Sequence, residues 1–155
     1  MTTSHYPQQN QLLAALSPDE LKRLNLQLTV LPLGKVLHEP GQVQPYTYFP
    51  VGCIISLLYV LNDGDSAEIS VVGNDGVVGI VSFMGGESTR SRAMVQSAGR
   101  AYQMAGYHLR EIFRTDDAIQ SLLLRYTQAL ITQMAQTAVC NRHHSVDQQL
   151  CRCKR

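Results

Sequence analysis

The chain has 155 residues, 45% of them hydrophobic, and a net charge of +1 at neutral pH. That length holds one ordinary domain whose core needs no metal or disulfide staple. The near-zero charge excludes a surface that grips nucleic acid by bulk electrostatics. The longest apolar run, CIISLLYVL at 53–61, is strand length and falls well short of the ~20 residues of a membrane helix.

The first residues, MTTSHYPQQNQ, lack the basic segment and apolar core of a secretory signal, so a cytoplasmic protein with no membrane partner is expected. In LSPDELKRL, Ser17 is a good N-cap, Pro18 suits the first helical position and Glu20 completes a capping box. NQLLAAL at 10–16 reads as a further helical turn. Residues 1–27 are thus a helical lead-in.

From 28 to 104 glycine-centred turn signals recur, from PLG at 32–34 to SAG at 97–99. Between them lie eight β-prone runs: LTVL, KVLHE, YTYF, IISLLYVL, AEISVV, GVVGI, AMVQ and RAYQM. Ala67, Ile69 and Val71 alternate with Glu68 and Ser70, the pattern of a half-buried strand. Short strands with regular glycine turns predict a mainly β fold with helices. The expected form is a double-stranded β-helix, or jelly roll, of about eight antiparallel strands. Cys53 lies in an apolar run and reads as a small buried hydrophobe.

Beyond Met104 the period becomes helical. GYHLREIFR places Leu109, Ile112 and Phe113 on one face, and Thr115, Asp116 and Asp117 supply a cap and an acidic first turn. A long helix then runs to about Arg142. Ile119, Leu122, Leu123, Tyr126, Leu130, Met134 and Ala138 recur at steps of three and four, and Leu124, Ile131 and Ala138 at steps of seven. Two rows are one more than a helix packed on its own sheet needs. One row can pack on the roll while the other meets a partner helix in a homodimer. Ile119, Leu123, Tyr126, Leu130 and Met134 are the candidate partner row. Residues 105–142 form the short helix and dimerisation helix, and 143–155 read as the start of a segment leading to a further domain.

Taken in order, LSPDELKRL, LPLGKVLHEPGQ, YTYFPVGCIISLL, ISVVGNDGVVGI and CNRHHSVDQQLCR resemble the sensor half of the Crp/Fnr family of bacterial transcription regulators. The resemblance covers about residues 12 to 152 and implies a cyclic-nucleotide-binding-like roll followed by a dimerisation helix. In that family a winged helix-turn-helix follows and contacts DNA. Here no helix pair joined by a tight turn is read after Ser145, so DNA binding by this chain alone is not expected.

The resemblance also places a nucleotide cassette at GIVSFMGGESTRSRA, residues 79–93. Family cassettes read Gly-Glu-Leu, then Arg-Ser/Thr-Ala. The arginine pairs with a cyclic phosphate and the glutamate takes a ribose hydroxyl, chemistry that suits a guanidinium fork and a carboxylate acceptor. This chain has Gly79-Ile80-Val81, with Ser82 next, and Arg90-Ser91-Arg92-Ala93. Ile80 replaces the glutamate. Counting from Gly79 selects Arg90 as the phosphate arginine, whereas counting back from Ala93 puts Arg92 in the Ser/Thr place. The candidate ligand site is therefore an anion-capable loop without its ribose-reading carboxylate. No cofactor is assigned, and a cyclic nucleotide is disfavoured. A small anionic effector other than cyclic AMP, or none, is expected.

Other readings are weaker. Cys140, His143, His144, Cys151 and Cys153 do not have the spacing of a zinc finger. His38 and Glu39 are adjacent and so point to opposite faces of a strand, which argues against a cupin-like metalloenzyme. No catalytic residue and no metal site is assigned. The alternative class is a stand-alone β-roll that binds a small ligand or another protein.

Overall fold

The computed structural model describes residues 6–86 and 88–143. A single turn of 3-10 helix at Pro7–Gln9 leads to α1 (Gln11–Ala14), whose first N–H groups are capped by the Asn10 side chain. In α2 (Pro18–Leu24) the expected capping box forms in both directions between Ser17 and Glu20. Asn25 ends α2 in the left-handed conformation, at φ 51°, which asparagine tolerates better than most residues.

Seven strands follow: β1 (Gln27–Leu31), β2 (Val36–His38), β3 (Tyr46–Pro50), β4 (Ile54–Val60), β5 (Ser66–Val72), β6 (Ser91–Ser97) and β7 (Gly99–Ala105). They form two antiparallel sheets, ordered β1-β7-β3 and β2-β6-β4-β5. The expected jelly roll is present, with seven strands among the described residues against the expected eight or so. The run GVVGI at 76–80 makes only an isolated bridge, Tyr48 to Val78. Gly79 then turns the chain at φ +106°, and α3 (Val81–Met84) begins instead.

Two apolar clusters sit on either side of the β1-β7-β3 sheet. Strand alternation sends Phe49, Tyr102 and Met104 toward the helices, where they meet Leu13, Leu109 and Ile119. It sends Tyr48 and Ala101 into the roll, against Ile55, Leu57 and Val95. Cys53 is buried there as expected, and burial pushes its thiol up to about 11, which leaves it protonated and unreactive at neutral pH.

After α4 (Gly106–Thr115), Asp116 caps α5 (Asp117–His143) by accepting from the Ile119 N–H at 3.0 Å. Arg23 of α2 pairs with the same carboxylate. The structure corrects the expected partner row. Ile119 and Leu123 are buried in the helix-side cluster and Tyr126 packs against it. Met134 packs on the roll cluster, and Leu130 is also buried. All five are used by the chain's own core, because α5 lies along the roll. The row left outside is the other one, with Leu124 45% and Ile131 59% exposed and Ala138 exposed beside them. Among the described residues no helix is long and apolar enough to cross a membrane. His144, Cys151 and Cys153, and the segment expected to lead to a further domain, lie outside the described residues.

Asn10 joins the lead-in to the roll. It is fully buried, donates to the carbonyls of Pro50 at 2.8 Å and Gly76 at 2.9 Å, and accepts from the N–H groups of Leu12 and Leu13. Asn10→Leu keeps the volume and strands two buried carbonyls. The expected loss is about 2–4 kcal/mol of stability, read from urea denaturation; a loss below about 0.5 kcal/mol would contradict this role.

Candidate functional site

The cassette segment links β5 to β6. Its first half is fixed by close packing. At Gly79 a Cβ would stand 3.3 Å from Thr47 Oγ1 and from the Tyr46 carbonyl, and its φ of +106° already disfavours a side chain. Ile80 then precedes α3 without any side-chain cap. Val81, Ser82 and Phe83 are buried. The Thr47 hydroxyl donates to Ser82 Oγ at 3.3 Å, so the polar atoms of this turn are partnered inside the protein.

Strand pairing fixes which way the side chains of the second half face. Ala93 is fully buried and lies opposite Leu57 on one side and His38 on the other. Alternation along β6 puts Ser91 on the same inward face. Arg92 therefore points outward, where its Nε is 2.8 Å from Glu39 Oε2. Arg90 precedes β6 and is exposed, with no ion-pair partner among the described residues. Neither Arg90 nor Arg92 hydrogen-bonds to the Gly79–Ser82 turn.

Residues that sequence reasoning passed over do much of the bracing. Arg110 of α4 donates from Nε to the Ser82 carbonyl at 2.8 Å and from Nη2 to the Gly86 carbonyl at 3.1 Å. Phe83 and Phe113 stack with ring centroids 5.1 Å apart. A Cβ at Gly106 would come within 2.7 Å of Ser82 Oγ, so glycine lets α4 seat closely on α3. On the other flank, the Ser91 N–H donates to Thr89 Oγ1 at 3.1 Å, and the Gly41 N–H donates to the Thr89 carbonyl at 2.7 Å. His38 is buried beside this segment, and its Nδ1 has no hydrogen-bond partner among the described residues. Burial holds its imidazole below the usual value of 6.5, opposed by a backbone bond at Ser91 and by the Glu39 charge. Glu39, its neighbour, faces away toward Arg92. Among the described residues no group of three or more His, Cys, Asp or Glu side chains could hold a metal ion.

No family model matches the chain, and no curated protein sequence does. Solved structures do. A c-di-GMP responsive global regulator from Xanthomonas campestris matches at TM-score 0.69 and 14% identity, over 84% of this chain and 67% of that one. The sensor domain of the transcriptional regulator DNR from Pseudomonas aeruginosa matches at TM-score 0.56 and 16% identity, over 87% of each chain. The regulatory subunit of a cAMP-independent protein kinase A from Trypanosoma brucei, a mutant bound to cAMP, matches at TM-score 0.66 and 14% identity. There the match covers 79% of this chain and only 45% of the other. The fold is the cyclic-nucleotide-binding β-roll that these structures share.

In this fold the cassette segment is tied to α5 at a second point. The turn that precedes it passes under Tyr126. A Cβ at Gly76 would stand 2.5 Å from the Tyr126 hydroxyl, so only glycine lets the ring lie there. That hydroxyl donates to the Val77 carbonyl at 3.3 Å, and burial pushes its pKa up to about 12. A shift of residues 76–79 must therefore move Tyr126 or break its contact. Gly76→Ala is expected to cost about 1–3 kcal/mol, and most of that cost should vanish when Tyr126 is also Ala. A double-mutant cycle in urea should give a coupling above about 1 kcal/mol; additivity would contradict the contact.

His38 makes stability depend on pH. Its folded pKa is lowered from 6.5, so the unfolded chain takes up a proton first. Stability is then full above about pH 7 and declines as pH falls below that unfolded value toward the lowered folded one. Urea midpoints measured from pH 7 to pH 5 should fall less steeply in His38→Gln than in the parent. Equal slopes would remove His38 as the source.

Proposed function

We infer that the chain is the sensor and dimerisation module of a Crp/Fnr-like transcription regulator whose effector is not cyclic AMP. The observation that carries this reading is the division of α5 between two faces. Ile119, Leu123 and Leu130 are buried. Leu124, Ile131 and Ala138 remain outside at seven-residue spacing, the repeat of a two-stranded seam. A second copy of the same helix is the occupant that fits, because a two-fold pair sets each of these residues near its own copy. DNA contact would belong to a winged helix-turn-helix outside the described residues. The role is regulatory rather than catalytic, and a cytoplasmic location follows from it.

Two features argue against cyclic AMP. Ile80 offers no acceptor to a ribose hydroxyl. Arg92 is spent on Glu39 on the outer face, so β6 turns Ser91, not a guanidinium, inward. A phosphate buried in the roll would then lack its charge partner.

Both parts can be checked on the intact chain. Sedimentation velocity at tens of micromolar should give a dimer for the parent and a monomer for Ile131→Asp; a monomeric parent sinks the pairing. Calorimetric titration with cyclic AMP should give no saturable heat. Saturable heat that disappears in Arg90→Ala would reverse the effector reading.

A further inference from the structure

Two stretches of loop meet over His38. One follows β2, at residues 39–44; the other is the return of the cassette into β6, at residues 88–92. Polar contacts join them. The Gly41 N–H donates to the Thr89 carbonyl at 2.7 Å. Arg92 Nε donates to Glu39 Oε2 at 2.8 Å, with both side chains about a third exposed. Gln44 Nε2 reaches Thr89 Oγ1 at 3.5 Å. His38 lies beneath, 8% exposed and paired with Ala93 on the inward face of the sheet. We propose that these contacts form an acid-operated latch: protonation of His38 releases the 39–44 loop from the cassette return while the rest of the roll stays folded.

The neutral imidazole suits its place and the cation does not. The ring lies against the Ser91 backbone, and its buried Nδ1 has no hydrogen-bond partner among the described residues. Protonation turns Nδ1 into a donor without an acceptor and adds a buried charge, which costs far more than a neutral nitrogen left unpaired. Among the described residues one carboxylate, Glu39, offsets that charge, and it is engaged with Arg92 on the other face. Arg92 itself has the wrong sign. Arg90, ahead of β6, and Lys35, ahead of β2, are exposed. The next strand across, β4, has no charged residue, and Tyr59 is its one titratable side chain. The inward side is the apolar roll cluster, where the Tyr48 hydroxyl and Cys53 thiol are both held protonated by burial.

Relief of the buried charge is local. Strand β2 has three residues, lies at the edge of its sheet and pairs with β6 alone. Its ladder shifts register between Val36 and His38. The turn that follows is closed by the Gln42 N–H, which donates to the Glu39 carbonyl at 3.2 Å, so residues 39–42 move as one piece. Gln42, Val43, Ser88 and Arg90 are exposed, and a partly exposed ion pair adds little hold. Swinging the strand end outward therefore brings the imidazolium to water and breaks the Gly41–Thr89 bond while uncovering little apolar surface. Burial holds His38 below its usual 6.5, opposed by the Ser91 backbone and Glu39. The latch is thus closed above about pH 7 and is released as pH falls below the unfolded value toward the lowered folded one. The freed return adjoins Gly86, whose carbonyl Arg110 holds together with that of Ser82. A proton would in this way act on the cassette without any bound ligand. The latch needs neither α5 pairing nor an effector, so its failure leaves those readings standing, and theirs leaves it standing.

Amide hydrogen exchange in the ¹⁵N-labelled chain, corrected for the intrinsic rate at each pH, tests the latch. Gly41 is the probe; Ile55, fully buried on the interior strand β4, reports unfolding of the whole domain. At pH 7, Gly41 should be at least about tenfold less protected than Ile55, and about 1 M urea should lower protection at Ile55 but not at Gly41. Below about pH 6.5, Gly41 protection should fall about tenfold per pH unit until the lowered His38 value is reached. In His38→Gln, uncharged throughout, it should stay flat. Arg92→Gln should lower it about two- to fivefold at every pH and keep the slope. If His38→Gln does not fold, the pH and urea dependence of the parent still decides. Gly41 protection independent of pH in the parent, an unchanged slope in His38→Gln, or Gly41 and Ile55 sharing one protection and one urea dependence would each overturn the proposal.

Discussion

The close approach of Tyr126 to Gly76 is the constraint on which the arrangement turns. A single β-carbon at position 76 would meet the ring at 2.5 Å, so the absence of a side chain there decides how near α5 can lie to the roll. With the helix that close, Ile119, Leu123 and Leu130 are covered, and the Ser70 hydroxyl of β5 reaches Gln133 at 3.0 Å. Burial of three large side chains contributes on the order of several kcal/mol, enough to hold the helix against a small β domain. The same contact sits at the head of the segment that becomes the cassette. Helix position and cassette position are thus set by one fit.

The cassette segment has the frame of its fold, and most of its side chains are engaged within the protein. Gly79, α3 and the return into β6 keep the frame. Ile80 is apolar, and Arg92 lies on the outer face with Glu39. Arg110 stabilises the frame from outside by holding the Ser82 and Gly86 carbonyls. Since a four-residue helix is not stable by itself, the position of α3 depends on α4. Whatever acts on the α4 start acts on the cassette.

Much of the fold was legible in local pattern. The Ser17–Glu20 capping box and the Asp116 cap of α5 are short-range devices and formed as read, whereas in β5 the alternation of Ala67, Ile69 and Val71 did not set the buried face: Ser70 and Val72 are buried and Ala67 is exposed. The failures share one cause, which is dependence on contacts distant in sequence. GVVGI has strand composition, but Gly79 must turn to clear Thr47, 32 residues earlier. The direction of Arg92 follows from pairing of β6 with β4 and β2, which no count within the cassette can supply. Arg110 carried no sequence signal, because its acceptors are carbonyls 28 and 24 residues away. The two rows of α5 were visible as periodicity, yet periodicity does not say which row the roll will cover; the shape of the roll at Gly76 does.

The central claim is that α5 presents its two faces to two different surfaces, one to its own roll and one to a second copy. Site-directed disulfide cross-linking tests it most directly, because a two-fold helix pair brings one outer-row position opposite itself. Ile131→Cys, mildly oxidised and run on a non-reducing gel, should give a covalent dimer. Leu123→Cys, on the covered row, should not. Cross-linking through Leu123→Cys with none through Ile131→Cys would contradict the account.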